Sequence, residues 1–406
     1  MVIGRASIPP AGPLRRLAIG TLVSAVGNGA WFTSWAIFLT RSIGLTPAEV
    51  GIGMTIAGAC GVIAATPLGW LGDRVGPREL FAVQLGLQAL AGTAWLLVHG
   101  FAAFVAVAAL AEIASSGSGG PRSALVLALS PAEAQFEALG ALRSISHVGW
   151  AIGAVAGGAV ITIGSRTGFV AMILLNAGSY AAYALIVWSV PRVGRRRAAT
   201  GAQAIRVVRD APYVSLAGLM GVLALCWAML SSGLPLWVAL HTHAPRAISA
   251  VVVLISCLGI AAFQVPVSRS IRDPHGAARG AVLSGCALAG SCLLFASTGG
   301  DGGWTVIAVI LLATGLHIAG ELLFVAASWG LSVPLMPTDA PSEYQGAFAT
   351  GEAAALMIAP VLMTTLIAGW GEPGWFVLAA IFLVPAAASV PMTRWALRDR
   401  ARLAER

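Results

Sequence analysis

Long, nearly uninterrupted runs of apolar residues dominate this chain and limit what it can fold into. A bilayer-spanning helix needs about 20 mostly apolar residues. In lipid the span must be a helix, because every backbone N–H and C=O group needs a partner within the segment. Twelve runs qualify: 17–39, 48–70, 80–98, 101–127, 145–163, 169–190, 213–236, 248–267, 280–297, 304–331, 347–368 and 374–391. The sequence therefore predicts an all-α integral membrane protein with 12 transmembrane helices.

Composition excludes the main soluble classes. Only 10% of the 406 residues are charged and 58% are apolar, whereas a soluble chain carries about 25% charged residues. A soluble enzyme, a disordered protein and a nucleic-acid-binding domain are therefore excluded, despite the formal net charge of +8. The five cysteines lie in apolar runs without CxxC spacing, so we interpret them as buried apolar side chains. No metal site and no cofactor are expected.

The basic residues predict the orientation in the membrane. All 24 are arginines, and with a cytoplasmic N-terminus 21 of them fall on the cytoplasmic side. Only Arg41, Arg166 and Arg246 are left outside. Such an excess is the positive-inside pattern. We therefore expect a multi-pass protein of the plasma (inner) membrane, a monomer surrounded by lipid, with both termini cytoplasmic.

The two halves of the chain resemble each other weakly. Gly140, before span five, corresponds to Gly346, before span eleven, with an offset of 206 residues, and Glu112 and Glu321 stand 209 residues apart in spans four and ten. Two six-span halves related by a repeat are a transporter architecture. The predicted parts are an N-terminal six-helix half (1–190), a cytoplasmic basic linker (191–212) and a C-terminal six-helix half (213–406).

The loop between spans two and three carries the most specific motif. Its sequence is Gly69-Trp70-Leu71-Gly72-Asp73-Arg74-Val75-Gly76-Pro77-Arg78. It resembles the G-x-L-a-D-r-x-G-r-[KR] signature of the major facilitator superfamily. The matches are Gly69, Leu71, Asp73, Arg74, Gly76 and Arg78, with Pro77 where a basic residue is usual. The resemblance covers nearly the whole chain and implies the 12-helix fold of that superfamily.

The residue types of this motif suit a conformational gate. Glycines let helix ends approach closely, and Asp73 can pair with an arginine or a helix N-terminus. Arg74 and Arg78 can bridge the cytoplasmic ends of neighbouring spans. The resemblance implies that Asp73 stabilises one alternating-access state and does not bind substrate. The corresponding loop of the second half, Ser268 to Gly280, keeps several of these residue types but has lost their spacing.

Span five carries a second resemblance. Gly149, Gly153, Gly157 and Gly158 match the antiporter motif g-x-x-x-G-P-x-x-G-G of drug and metabolite exporters in the same superfamily, with Ala154 in place of the proline. Glycines at this spacing also form a flat face for close helix packing, so both interpretations stay open. The stretches Gly320–Gly330 and Tyr344–Gly346 are also similar to facilitators of high-GC actinobacteria.

Acids inside the spans are the candidates for coupling or substrate binding. An ionised carboxylate at the bilayer centre costs several kcal/mol unless it is paired or protonated. Glu112 lies midway along span four, and His317 and Glu321 share one face of span ten at i and i+4. We interpret these three as candidates for proton coupling or substrate binding, with a hydrogen-bonded packing role as the alternative. Glu352 is expected in a first helical turn, where an acid favours the helix dipole.

Further polar and aromatic residues are candidates for lining a cavity. They share helix faces or lie singly in spans: Asn28, Trp31, Trp35, Gln84, Gln88, Asn176, Tyr180, Trp227 and Gln264. Aromatic rings with a few acids suit a bulky, partly apolar or cationic small molecule. No GxxxxGK[ST] phosphate loop occurs, so ATP-driven transport has no support.

These features together predict a secondary transporter that works by alternating access. The first hypothesis is proton-coupled export of a small organic solute, such as a drug or a secondary metabolite. The alternative within transport is proton-coupled uptake of a small nutrient. A sensor without transport activity and a membrane-embedded enzyme are less favoured, because the sequence contains neither a soluble signalling domain nor a catalytic constellation such as HExxH.

Overall fold

A computed structural model describes residues 9–163, 166–193, 205–271, 273–300 and 302–405. Part of the predicted linker lies outside the described residues. So do six of the arginines used for the orientation, namely Arg5, Arg195, Arg196, Arg197, Arg272 and Arg406. The orientation stays a prediction.

The described chain is built from α-helices. Their bounds are α1 Pro13–Ile37, α2 Pro47–Val75, α3 Pro77–Ala94, α4 Phe101–Leu129, α5 Gln135–Ile163, α6 Arg166–Trp188, α7 Ala211–Ala228, α8 Leu234–His241, α9 Ile248–Ser270, α10 Pro274–Ala296, α11 Trp304–Leu335, α12 Pro341–Met363 and α13 Glu372–Ala404. A π-helical turn joins α7 to α8, so these helices form 12 long segments. Within the described residues, ten segments are long and apolar enough to cross a membrane, and α1 and α5 complete the set predicted from hydropathy.

Local sequence explains where several helices begin. Pro47, Pro77 and Pro274 each occupy the first turn of a helix, where the missing N–H has no intrahelical partner to lose. Thr46 and Glu49 form a capping box at the start of α2, in which each side chain accepts the backbone N–H of the other residue.

Several helices extend beyond the predicted spans. The prediction began span five at 145 and ended span twelve at 391, whereas α5 begins at Gln135 and α13 ends at Ala404. Hydropathy detects only the apolar part of a helix, and helical hydrogen bonding continues into polar flanks. The position predicted for Glu352 is wrong for the same reason: α12 begins at Pro341, and its first-turn acid is Glu343.

The chain divides into two compact units. Unit 1 comprises Met1–Arg206 with Pro337–Thr350, and unit 2 comprises Val207–Met336 with Gly351–Arg406. Within unit 1, α1 packs on α5 and α6, α2 on α4, and α3 on α4 and α6. Within unit 2, α10 packs on α11 and α13, α11 on α9, and α7 on α11 and α13. The predicted boundaries at 190 and 213 stay a prediction.

Candidate functional site

A buried acid–imidazole pair lies on α11 in unit 2. Glu321 is 3% exposed and His317, one turn earlier on the same face, is fully buried. The Nε2 atom of His317 lies 3.6 Å from Oε2 of Glu321. Burying an ionised carboxylate is costly unless other groups stabilise it. The i, i+4 spacing therefore brings together two of the three proton-coupling candidates.

A tryptophan from another helix holds the second oxygen of this carboxylate. The indole Nε1–H of Trp227, on α7, donates a hydrogen bond of 2.9 Å to Oε1 of Glu321. The Trp227 ring also packs on Phe324, with ring centroids 5.5 Å apart. A hydrogen bond to a charged acceptor is stronger than a neutral one. The structure thus joins a predicted cavity residue to a predicted coupling residue across 94 positions of the chain.

A cysteine lies beside the same carboxylate. Cys226, on α7, is fully buried, and its Sγ atom, a ligand atom of His317 and an oxygen of Glu321 all lie within 4.8 Å of one another. Sequence analysis treated Cys226 only as an apolar side chain. No sequence signal links it to Glu321, because only tertiary packing brings α7 and α11 together.

The acid of unit 1 has different surroundings. Glu112, on α4, is half-buried. Next to this helix, α2 approaches α4 closely through Gly61: a Cβ atom there would lie 2.7 Å from Oγ of Ser116. Tyr180, on α6, donates a hydrogen bond of 2.5 Å to Oδ1 of Asn28 on α1. Two of the predicted cavity residues, Asn28 and Tyr180, therefore form a polar pair.

Aromatic residues gather on the same helix as Asn28. The Trp31 ring lies 5.5 Å from Trp95 and 6.0 Å from Phe38, measured between ring centroids. Trp35 packs at the edge of the same apolar cluster, and both tryptophans remain half-buried. Partly exposed rings next to a polar pair form a surface that suits a flat or cationic molecule.

Four of the five predicted amide residues lie within helix packing. Gln84, Gln88, Asn176 and Gln264 are at most 7% exposed. The Gln88 amide donates weakly, over 3.5 Å, to backbone oxygens of α3 and α4, and Gln264 donates to Oγ of Ser268 over 3.2 Å. Their positions favour the structural interpretation over solute binding.

The motif acid Asp73 caps a helix that is distant in sequence. Its two carboxylate oxygens accept the backbone N–H groups of Ser342 and Glu343, at 2.9 and 2.8 Å. These are free N–H groups in the first turn of α12, where the positive end of the helix dipole favours an anion. All three residues belong to unit 1. Asp73 is thus placed to hold the start of α12 and does not meet the other acids of the site.

The other motif residues have structural roles of their own. A Cβ atom at Gly69 would lie 2.3 Å from the carbonyl oxygen of Ser342, so only glycine fits there. Gly76 has φ = 109°, in the left-handed region that favours glycine. The guanidinium of Arg74 stacks over Trp70, 3.9 Å from the ring centroid. Arg78 donates to the carbonyl oxygen of Val190, at 2.9 Å, and so links α3 to the end of α6.

Three of the four antiporter-like glycines pack α5 against α1. A Cβ atom at Gly153 would lie 2.1 Å from the carbonyl oxygen of Val26, and Gly149 and Gly157 face α1 in the same way. A Cβ atom at Gly158 would meet open space. The first three glycines therefore have a packing reason to be glycine.

Comparison with known proteins identifies the family. The family model described as Major Facilitator Superfamily matches residues 17–360. Among curated sequences, none matches this chain.

Solved structures with a similar fold cover nearly all of the chain. The human organic anion transporter MFSD10 (TETRAN) is 15% identical, with a TM-score of 0.70, and the match covers 93% of this chain and 98% of that one. A bacterial homologue of the iron transporter ferroportin is 17% identical, with a TM-score of 0.72 and coverage of 95% and 99%. The proton:xylose symporter XylE is 11% identical, with a TM-score of 0.69 and coverage of 92% and 94%. The chain belongs to the major facilitator superfamily of membrane transporters.

Proposed function

We propose that this protein is a secondary transporter of the plasma membrane that exports a small organic solute in exchange for protons, by alternating access. The buried His317–Glu321 pair supports this proposal most directly. A carboxylate inside a membrane span is a typical carrier of a coupling proton. A proton that enters in one facing state and leaves in the other would couple the gradient to transport.

The coupling chemistry is assigned to Glu321. Among the described residues, His317 on its own helix and Cys226 on α7 lie close to this carboxylate. Proton uptake by Oε2 would remove the negative charge that faces the imidazole, while Oε1 keeps the hydrogen bond from Trp227. The protonated and the ionised carboxylate thus make different interactions. Such a difference is required for proton binding to shift a conformational equilibrium.

The solute site is assigned to Glu112 of α4 together with the hydrogen-bonded pair of Asn28 and Tyr180. A half-buried carboxylate attracts a cation, and the neighbouring Trp31 offers an aromatic face. A partly apolar cationic solute combines both features, as many drugs do. Export of such a molecule also agrees with the antiporter-like glycines of α5.

The conformational role is assigned to Asp73. Its two hydrogen bonds to the start of α12 stabilise one facing state and must weaken in the other. The fold also hosts proton-coupled transport elsewhere, since one neighbour is a proton:xylose symporter. That neighbour moves a sugar together with protons, so uptake of a small nutrient is the second candidate function.

Transport into inverted membrane vesicles tests the proposal. The vesicles contain the protein, have an acidic interior and are offered ethidium, tetraphenylphosphonium and a panel of cationic antibiotics. Accumulation that requires the imposed pH gradient, and that is lacking in vesicles without the protein, is the expected result. Absence of accumulation across the panel would contradict export of cationic solutes, and gradient-driven loss of a preloaded sugar or amino acid would favour uptake instead.

A further inference from the structure

The cluster of Cys226, His317 and Glu321 combines three kinds of metal-ligating atom in one buried place. We propose that these residues bind a divalent transition-metal ion of intermediate softness, such as Zn²⁺ or Co²⁺. The inference goes beyond the proposed function, because it concerns equilibrium binding and holds whichever solute is moved and in whichever direction.

The donor atoms determine the class of metal. A thiolate, an imidazole nitrogen and a carboxylate oxygen form a mixed set that suits Zn²⁺ and its neighbours in the first transition row, whereas Mg²⁺ and Ca²⁺ prefer oxygen alone. The ligand atoms all lie within 4.8 Å of one another. Around a tetrahedral Zn²⁺ ion, bond lengths of about 2.0–2.3 Å separate such ligands by about 3.5 Å, so a closure of about 1 Å completes the site.

The imidazole of His317 lacks the partners that a buried ring needs. It is fully buried, and neither ring nitrogen makes a hydrogen bond within the part of the chain that the structure describes. Nε2 is 3.6 Å from the Glu321 carboxylate, beyond hydrogen-bonding distance. A metal ion bound to one nitrogen would satisfy a polar atom that the protein otherwise leaves buried and unpartnered.

Charge balance also favours a divalent ion here. Glu321 contributes one negative charge, and Cys226 becomes a thiolate when the metal displaces its proton to solvent. With neutral His317, the ion and its three ligands then carry no net charge. A neutral complex is far less costly to bury than a single carboxylate.

Neighbouring groups prepare the site. The indole Nε1–H group of Trp227 donates a 2.9 Å hydrogen bond to Oε1 of Glu321, and Oε2 is the carboxylate oxygen near His317. A hydrogen bond to a ligating carboxylate of this kind orients the ligand in many metal sites.

Cobalt titration of the purified full-length chain in detergent tests the inference. Co²⁺ is the probe because a thiolate ligand produces a near-ultraviolet charge-transfer band. We expect the band to saturate at one Co²⁺ per chain, to disappear on addition of Zn²⁺, and to be absent in Cys226→Ser. The control Cys292→Ser should keep the band, since Cys292 is equally buried in unit 2 but contacts Met229 instead.

Further variants keep the test valid if Cys226→Ser does not fold. His317→Gln should weaken Co²⁺ binding by more than tenfold, and Trp227→Phe should keep the band and weaken binding by about 10-fold or more. A folded wild-type protein without the band, or a band that persists in Cys226→Ser, would overturn the inference. Both readouts are binding measurements, so a failure of the transport proposal would leave them unchanged.

Discussion

Each unit carries an acid within a long apolar helix, but the surroundings of the two acids differ. In unit 1, Glu112 is half-buried on α4. In unit 2, Glu321 is almost fully buried and lies near His317, with an indole hydrogen bond from Trp227. The same residue type therefore has different chemistry in the two units, because its burial and its neighbours differ. The half-buried acid suits a cationic solute, and the enclosed acid suits a proton or a metal ion.

The motif loops of the two units differ in a similar way. Asp73 accepts two N–H groups from α12, about 270 positions away in sequence. Asp273, in the corresponding loop of the second half, accepts the N–H of Gly276 and caps its own helix. The same residue type therefore makes a long-range contact in unit 1 and a local cap in unit 2.

Removing the charge of each intramembrane acid is expected to produce the largest difference between the units. Glu321→Gln should reduce gradient-driven accumulation of the solute by about 10-fold or more, the range typical of coupled equilibria. Glu112→Gln should keep the coupling and weaken the apparent affinity for a cationic solute by about fivefold, which corresponds to about 1 kcal/mol for a partly exposed ion pair. Initial rates over a series of solute concentrations measure both. Equal effects of the two variants on accumulation and on apparent affinity would contradict the distinction between a coupling acid in unit 2 and a solute-binding acid in unit 1.

The gate loops provide the next comparison. Asp73→Asn leaves one acceptor oxygen where two N–H groups now bind, so transport should slow several-fold with an unchanged solute range. Asp273→Asn should have almost no effect, because Asn and Asp are equivalent N-cap residues. Transport rates across the solute panel measure the outcome. An altered solute range in Asp73→Asn would place that residue in the binding site instead.

The hydrogen bonds around each acid provide a comparison of folding stability instead of transport. Trp227→Phe removes a donor to a carboxylate and should cost about 1.5–3 kcal/mol, whereas Tyr180→Phe removes a donor to the neutral Asn28 and should cost about 0.5–1.5 kcal/mol. Unfolding temperatures in detergent should therefore fall further for Trp227→Phe. The reverse order would mean that Glu321 is stabilised by groups other than the indole.

Sequence predicted the fold well and helix ends less well. Apolar runs predicted 12 spans, and the described residues form 12 long helical segments, ten of them long and apolar enough to cross a membrane. The helices α5, α12 and α13 continue into polar flanks that hydropathy does not count. The candidate site shows the same limit. The i, i+4 spacing of His317 and Glu321 is local and was visible, whereas Cys226 comes from another helix and only tertiary packing brings it to them.

Buried amides were the least informative sequence signal. Gln84 and Gln264 were candidates because polar residues are rare in such spans, yet both lie between packed helices. A polar side chain inside a span can form hydrogen bonds with a neighbouring helix as readily as with a solute. Only the degree of exposure, which the sequence does not contain, separates them from half-buried Glu112 and Trp31.

Proton movement driven by solute tests the central claim most directly. Purified wild-type protein and Glu321→Gln are reconstituted into vesicles with an acidic interior and a trapped pH-sensitive dye. A solute that the wild type transports is then added outside. Wild-type vesicles should release protons in proportion to the solute taken up, while Glu321→Gln vesicles should still exchange labelled for unlabelled solute without releasing protons. Solute-driven proton release that persists in Glu321→Gln would contradict the assignment of coupling to the buried acid of unit 2.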